Sequence, residues 1–349
     1  MVNKKKQKKN KTKQVELPFV SICTPTYNRR PFFEGLIKCF QNQNYPKDKM
    51  EWIIVDDGID KIEDLVENIE QVKYISLEEK VNLGKKRNMM HEMAIGDIIV
   101  YMDDDDYYPP DRVSHAVDSL MKNNKYMIAG SSVLYIYFND KEHLYKFGPY
   151  GKYHSTAATF AFKKELLKDC RFNDEACLAE EKTFLKNYSI PLLQLDPLKT
   201  ILVLSHEQNT FDKRTLIADE KKLESPNSKI TISGNKIEKV IKNKELLEFY
   251  GTTIFEKIKN YDYGKMEYKQ DVIEYKEKLD KERSERARLE QMKNVKLYRT
   301  INNKKVEIPY YELVEIIQNL NKTINNLKDE NKMLQEQVNN FSLSSTNNE

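Results

Sequence analysis

Between residues 17 and 121, short apolar runs alternate with stretches of helical length, and each run ends in polar or breaker residues. F-V-S-I-C-T stops at T-P-T-Y-N, and E-W-I-I-V ends in D-D-G. V-K-Y-I-S-L follows a short helix over 62–69, and D-I-I-V-Y-M runs into Asp103, Asp104, Asp105 and Asp106. Strands buried on both faces read as continuous apolar runs, and helices between them make βαβ units. The chain is therefore expected to be α/β, with a mostly parallel sheet and flanking helices. Phe33, Leu36, Ile37 and Phe40 fall at helical spacing after the first run. Pro109 and Pro110 open a later helix, where a missing N–H costs nothing.

The alternation loosens after Met121. Strands are expected over 126–138, 143–147 and 155–162, the first two as a hairpin over Asn139-Asp140. A helix over 178–188 and short strands at 192–195 and 201–204 follow. Residues 219–234 are polar and read as a linker, and lysine- and glutamate-rich helices come next, including 266–292. Residues 296–310 resemble a small hairpin turning at Asn302-Asn303. Leu313, Ile317, Leu320, Ile324, Leu327, Asn331, Leu334, Val338 and Phe341 then keep 4-3-4-3 spacing. β-Branched residues at a, leucine at d and one Asn at a favour a parallel two-stranded coiled coil, hence a homodimer through 313–341. The expected organisation is a lysine-rich tail (1–16), an α/β domain (17–215), a linker (216–234), a helical extension with the hairpin (235–310), a coiled coil (311–342) and a tail (343–349).

Composition excludes several classes. The 58 basic and 55 acidic residues nearly cancel, which rules out a globally basic protein that coats nucleic acid. Cys23, Cys39, Cys170 and Cys177 are scattered without metal spacing, which excludes a disulfide scaffold and fits a reducing compartment. No apolar run approaches the ~20 residues of a spanning helix. The seven lysines of residues 1–14 have no apolar segment behind them, unlike a signal peptide. A cytoplasmic protein is expected, with peripheral membrane association or a virus-encoded origin left open; its Lys/Asn/Ile richness fits an AT-rich genome. A zipper-type DNA-binding protein needs a basic helix running directly into the coiled coil, and Pro309 intervenes.

Three polar groups sit where strands of such a sheet end, the place where open α/β sheets bind ligands: residues 24–28, Asp56-Asp57, and Asp103 to Asp106. Unit charges ~4 Å apart repel by ~4 kcal/mol at an effective dielectric of ~20, so four carboxylates in a row call for a cation. Carboxylate oxygens suit Mn2+ or Mg2+. Leu83-Gly84-Lys85-Lys86-Arg87-Asn88 places a glycine and three cations at a helix start, where anions bind. No P-loop or G-x-G-x-x-G is present, which argues against a Walker NTPase or a dinucleotide enzyme.

The ordered set P-T-Y-N-R, V-D-D-G, L-G-K-K-R-N and D-D-D-D-Y-Y-P-P resembles the inverting family 2 glycosyltransferases of the GT-A fold, over about residues 17–210. The resemblance implies a nucleotide-sugar donor, most often a UDP-sugar, a glycan or protein acceptor, and a divalent metal. It implies that Thr24, Pro25, Tyr27 and Gly84 belong to the donor site, with Pro25 and Tyr27 lining the nucleobase and ribose pocket. Asp57, with Arg87 nearby, would contact the base, Asp56 being the alternative. Asp103 and Asp105 match the ends of the family's D-x-D, with Asp105 the direct metal ligand and Asp104 a ribose contact. The family's catalytic base lies in an E-D pair opening a downstream helix; Glu180-Glu181 aligns with it, which assigns the base to Glu181 and keeps Glu180 in reserve. His206 resembles a further metal ligand or diphosphate contact. A nucleotide-sugar-forming nucleotidyltransferase and an inactive GT-A scaffold remain the rival readings.

Overall fold

The computed structural model describes residues 16–219, 223–293, 298–301 and 304–345. The lysine-rich run 1–15, the Asn302-Asn303 turn and the last four residues lie outside them, as do the side chains of Val338 and Phe341. The chain forms two compact units, one ending at Tyr275 and one beginning at Lys276.

The first unit is built on a seven-stranded sheet of β1 (Val20–Thr26), β2 (Met50–Asp56), β3 (Val72–Ser76), β4 (Ile98–Tyr101), β5 (Ile128–Gly130), β8 (Ala161–Lys163) and β9 (Leu192–Gln194), ordered β3-β2-β1-β4-β8-β5-β9. β3, β2, β1 and β4 run parallel, β8 is antiparallel to both β4 and β5, and β9 is parallel to β5. Helices α1 (Phe33–Gln41), α2 (Glu63–Val66), α3 (Leu83–Met93) and α4 (Arg112–Lys122) make the connections. Successive residues of the central strands alternate between two apolar cores. Val20, Ile22, Trp52, Ile54, Ile98 and Val100 join α1 and α4, while Cys23, Ile53, Val55, Ile99 and Tyr101 join Met90 of α3 and Phe160, Phe162 and Phe184. Trp52 is a core residue, stacked on Phe40 at 4.7 Å between ring centroids. This is the mixed α/β architecture that the alternating runs imply.

A second sheet, ordered β10-β6-β7-β11, pairs β6 (Leu134–Phe138), β7 (Tyr145–Phe147), β10 (Leu202–Ser205) and β11 (Ile230–Ile232). Several expectations change here. The apolar run 126–138 divides into β5 and β6, which lie in different sheets. The break falls at Ser131, whose hydroxyl donates to Val133 O at 2.6 Å and accepts from Val133 N at 3.2 Å, a local pairing that replaces the ladder. Residues 155–162 hold a 3-10 turn, Ala157–Thr159, before β8 begins. The helix expected over 178–188 shrinks to α5 (Glu181–Phe184), bounded by left-handed Ala179 on one side and Lys186, Asn187 and Tyr188 on the other. The polar stretch after 219 contains β11, which pairs with β7. Ile237, Ile241, Leu246, Phe249, Tyr250, Ile254 and Ile258 then pack into the first core. Their amphipathic pattern is satisfied by the first unit itself.

In the second unit, Tyr298–Ile301 and Lys304–Glu307 pair antiparallel, with Ile301 opposite Lys304. Tyr310–Ser345 is one continuous helix of 36 residues.

Candidate active site

Register brings the polar groups together. Thr26 lies level with Asp56, and β4 ends with Tyr101 opposite Cys23, so the four aspartates leave the sheet beside the β1 end. Asn28 takes a left-handed φ of 53°, and its Oδ1 accepts from Ile59 N at 2.6 Å, tying the β1 turn to the D-D-G loop. Asp56 organises that loop: its carboxylate accepts from Gly58 N at 2.8 Å, Ile62 N at 3.2 Å and the Tyr74 hydroxyl at 2.8 Å. Asp57 accepts from Val81 N at 2.8 Å and pairs with Lys86, whose ammonium also donates to Thr26 O at 2.8 Å.

Helix α3 presents buried Lys86, Arg87 and Asn88 toward the site. Burial pushes the Lys86 ammonium down, against the pull of Asp57. Arg87 is a fork: Nε donates to Glu180 Oε1 at 2.8 Å, and Nη1 and Nη2 face the Asp103 carboxylate at 3.3 and 3.4 Å. Its guanidinium lies over the Tyr101 ring, 4.5 Å from the centroid. Gly84 allows the segment before Glu180 to approach: its N–H donates to Ala176 O at 2.9 Å, and a Cβ would stand 1.9 Å from Asn173 O. Asn88 stitches the same segment, donating to Phe172 O at 3.0 Å and accepting from Phe172 N at 3.1 Å.

The four aspartates have four environments. Asp103 faces Arg87, while Arg29 reaches Asp104 at 3.7 Å and Asp105 at 3.4 Å. Asp106 accepts from Leu204 N, within β10, at 2.9 Å, and burial raises its carboxyl well above the usual range. Asp105 meets His206 Nε2 at 3.3 Å and Asn209 Nδ2 at 3.3 Å. Burial alone would raise Asp105, but His206 and Arg29 hold it well below the ordinary carboxylate range. His206 is buried, which lowers it to about 4, so the imidazole is neutral and keeps a lone pair; its Nδ1 has no hydrogen-bond partner.

This donor set fits Mn2+ or Mg2+. An ionised carboxylate and a neutral imidazole converge, and such ions take one or two protein groups and complete their shell from phosphates and water. Asp103 does not join the pair, because it is turned onto Arg87; among the described residues no three His, Cys, Asp or Glu side chains converge on one point.

Glu180 and Glu181 divide their work. Glu180 is buried against Arg87, whereas Glu181 opens α5 with its carboxylate toward its own backbone N–H. Burial, with the charge of Glu180, pushes the Glu181 carboxyl up to about 7. Tyr188 lies near this pair, stacked on His154 at 4.9 Å.

Residues 21–186 match the description "Glycosyl transferase family 2". Over that span the chain is similar to the family 2 glycosyltransferases. The chain is 31% identical over 181 residues to the GalNAc(5)-diNAcBac-PP-undecaprenol beta-1,3-glucosyltransferase of Campylobacter jejuni, covering 46% of this chain and 56% of that protein. It is 30% identical over 112 residues to the putative teichuronic acid biosynthesis glycosyltransferase TuaG of Bacillus subtilis, covering 31% and 44%. The chain thus spans about half the length of the curated relatives it matches. Staphylococcus aureus TarS 1-349 in complex with UDP-GlcNAc superposes with a TM-score of 0.43 at 23% identity, over 54% of this chain and 59% of that one.

At the strand ends lies a cavity of about 190 Å3 lined by Pro25, Tyr27, Arg87, Asp103, Asp104 and Asp105, all expected from the sequence. Three expected donor residues do not line it. The Thr24 hydroxyl is spent in the sheet, donating to Met102 O at 2.6 Å and accepting from Trp52 Nε1 at 2.8 Å. The Asp57 carboxylate is fully buried behind Lys86, and Gly84 is consumed by its approach to Asn173. His206 and Glu181 stand outside the cavity wall, His206 behind Asp105. Arg29, Lys80, Lys86, Lys269 and Asp271 line it without having been singled out as site residues. Arg29 and Lys86 sit inside quoted motifs, so adjacency was their signal; Lys269 and Asp271 had none, since they follow the expected end of the domain.

Proposed function

We propose that this chain is a metal-dependent inverting glycosyltransferase of the GT-A fold, moving a sugar from a UDP-sugar to a hydroxyl of a glycan or protein acceptor. One observation carries the reading: the strand-end carboxylates Asp103 to Asp105, Tyr27 and Arg87 line one opening, and Arg87 reaches behind its wall to Glu180, next to Glu181. Tyr27 and Pro25 offer the nucleobase a flat apolar wall, while Asp57 fixes Lys86 at its back. Asp104 offers a carboxylate to the ribose. Glu181 takes the proton from the acceptor hydroxyl as that oxygen attacks the anomeric carbon, and the sugar leaves the diphosphate in a single displacement. Arg87 holds Glu180, and through it the base, at a set distance from Asp103. Mn2+ or Mg2+ held by Asp105 and His206 would neutralise charge on the departing diphosphate.

Oligomerisation belongs to the same reading. Leu320, Ile324, Leu327 and Leu334 are each about half exposed on one stripe of Tyr310–Ser345, which supports a parallel homodimer. Among the described residues no helix is long and apolar enough to cross a membrane, which is compatible with a cytoplasmic enzyme. Nothing in the site favours a nucleotidyltransferase or an inactive scaffold.

The test is thermal stability against nucleotides with and without Mn2+, since a ligand that binds only the folded state raises the melting temperature. UDP with Mn2+ should raise it, and Asp105→Asn should remove the metal-dependent part. No shift with any nucleotide would overturn the reading.

A further inference from the structure

The segment after the family 2 match returns to the cavity and is tied there at several points. Gln208 Nε2 donates to Ile258 O and to Tyr261 O, both at 2.9 Å. The Tyr27 hydroxyl donates to Tyr268 O at 2.9 Å, and Asn28 Nδ2 donates to Tyr263 O at 3.1 Å. Gly264 permits this closeness, because a Cβ there would lie 1.9 Å from Gln208 Oε1. Lys80 closes the edge by pairing with Asp271 while lying over the Tyr27 ring.

Lys269 is the residue this segment delivers. Its ammonium donates to Gln208 O at 2.8 Å, and Arg29 Nη2 donates to the same oxygen at 2.9 Å. Two buried cations thus share one neutral acceptor, and the nearby Asp104 and Asp105 offset only part of the cost of burying them together. Arg29 has Asp104 and Asp105 beside it, yet its buried Nη1 has no hydrogen-bond partner. Among the described residues no carboxylate pairs with Lys269, although Asp103, Asp104, Asp105 and Asp271 line the same cavity. Burial and the Arg29 charge depress the Lys269 ammonium to about 7, so an anion arriving there would find a group with much to gain.

We propose that Lys269 is a donor-binding residue whose ammonium, with Arg29, receives the diphosphate of the nucleotide sugar. The inference rests on the glycosyltransferase reading above. It adds a residue from outside the family 2 segment, and it makes the segment around Tyr261 to Lys269 part of the donor site. A nucleoside whose base lies against Tyr27 would carry its phosphates toward the aspartate edge, where Arg29 and Lys269 stand.

Binding of uridine, UDP and GDP to the full chain would be measured by calorimetry in EDTA and in Mn2+, for the wild type, Lys269→Met and Lys269→Arg. The methionine variant should bind UDP at least tenfold more weakly in both buffers, keep its affinity for uridine, and melt like the wild type without ligand. The arginine variant should recover most of the loss. UDP affinity within twofold of wild type in Lys269→Met would overturn the proposal. So would a parallel fall for UDP and uridine, which is the signature of a structural prop. If the wild type binds neither UDP nor GDP, the glycosyltransferase reading itself falls, a result distinct from both.

Discussion

Gly84→Ala tests how the two sides of the site are joined. The new Cβ would stand 1.9 Å from Asn173 O and 3.0 Å from Asn173 C, both backbone atoms, so no side chain can swing away. Ordinary contact requires the carbonyl to retreat by about 1.5 Å, and close-packed interiors do not yield that freely. Alanine gains at most about 1 kcal/mol of helix propensity at this first-turn position. Against it stand about 1–3 kcal/mol of overpacking and about 1 kcal/mol for the strained Gly84–Ala176 hydrogen bond. The expected net loss of about 1–3 kcal/mol corresponds to a melting temperature lower by roughly 3–10 °C in a unit of this size. Asn173 lies in the segment that leads to Glu181, and a displacement of about 1 Å in reacting groups can cost ~100-fold in rate. Differential scanning fluorimetry and donor turnover would be compared in the two proteins. A variant that melts within about 1 °C of wild type, with full turnover, refutes the tight approach and the coupling argued from it.

Three further outcomes follow from the same geometry. Glu181 must be deprotonated to act as base, so transfer should rise with pH through about 7; Glu180→Gln, by removing a negative neighbour, should move that midpoint toward acid. Glu181→Gln should abolish transfer and spare UDP binding; full transfer in Glu181→Gln with none in Glu180→Gln would shift the base by one residue. His91 is buried among Tyr101, Phe162, Phe172 and Phe184, and burial, with the charges of Arg87 and Arg171, lowers it to about 3 from an ordinary 6.5. Its folded value being depressed, its contribution is present above pH 6.5 and is lost as pH falls toward 3; denaturant midpoints at pH 7 and 5 should diverge more in wild type than in His91→Phe, and equal slopes would refute this. A chain ending at Pro309 should sediment as a monomer and the full chain as a dimer, while a dimer that persists without the helix puts the interface elsewhere.

The parallel half of the sheet was legible because β1, β2 and β4 are buried on both faces, and continuous apolar runs leave little room for another reading. The aspartates were legible for the complementary reason, since a run of like charges at a strand end is costly without a task. Thr24 was misread because its motif lies at the site while its side chain turns into the sheet toward Trp52. The split at Ser131 depends on one side chain satisfying its own backbone, a choice that apolar periodicity does not carry. Lys269 was invisible because its role is created by contacts such as that of Tyr27 with Tyr268, 241 positions apart. Lysine in a charged stretch is the commonest kind of solvated residue until the fold encloses it.

One planar group, Arg87, touches both Asp103 and Glu180. The spacing between the Asp103 and Glu180 carboxylates is thus gauged by the bond lengths of a guanidinium and not by the loops that happen to lie between them. The exposed turn at 139–143 can lengthen, shorten or change sequence while that spacing holds, whereas Phe160 and Phe162 further along are buried core. Change in such a turn leaves the Arg87 bridge where it is, since that bridge hangs from a single helix.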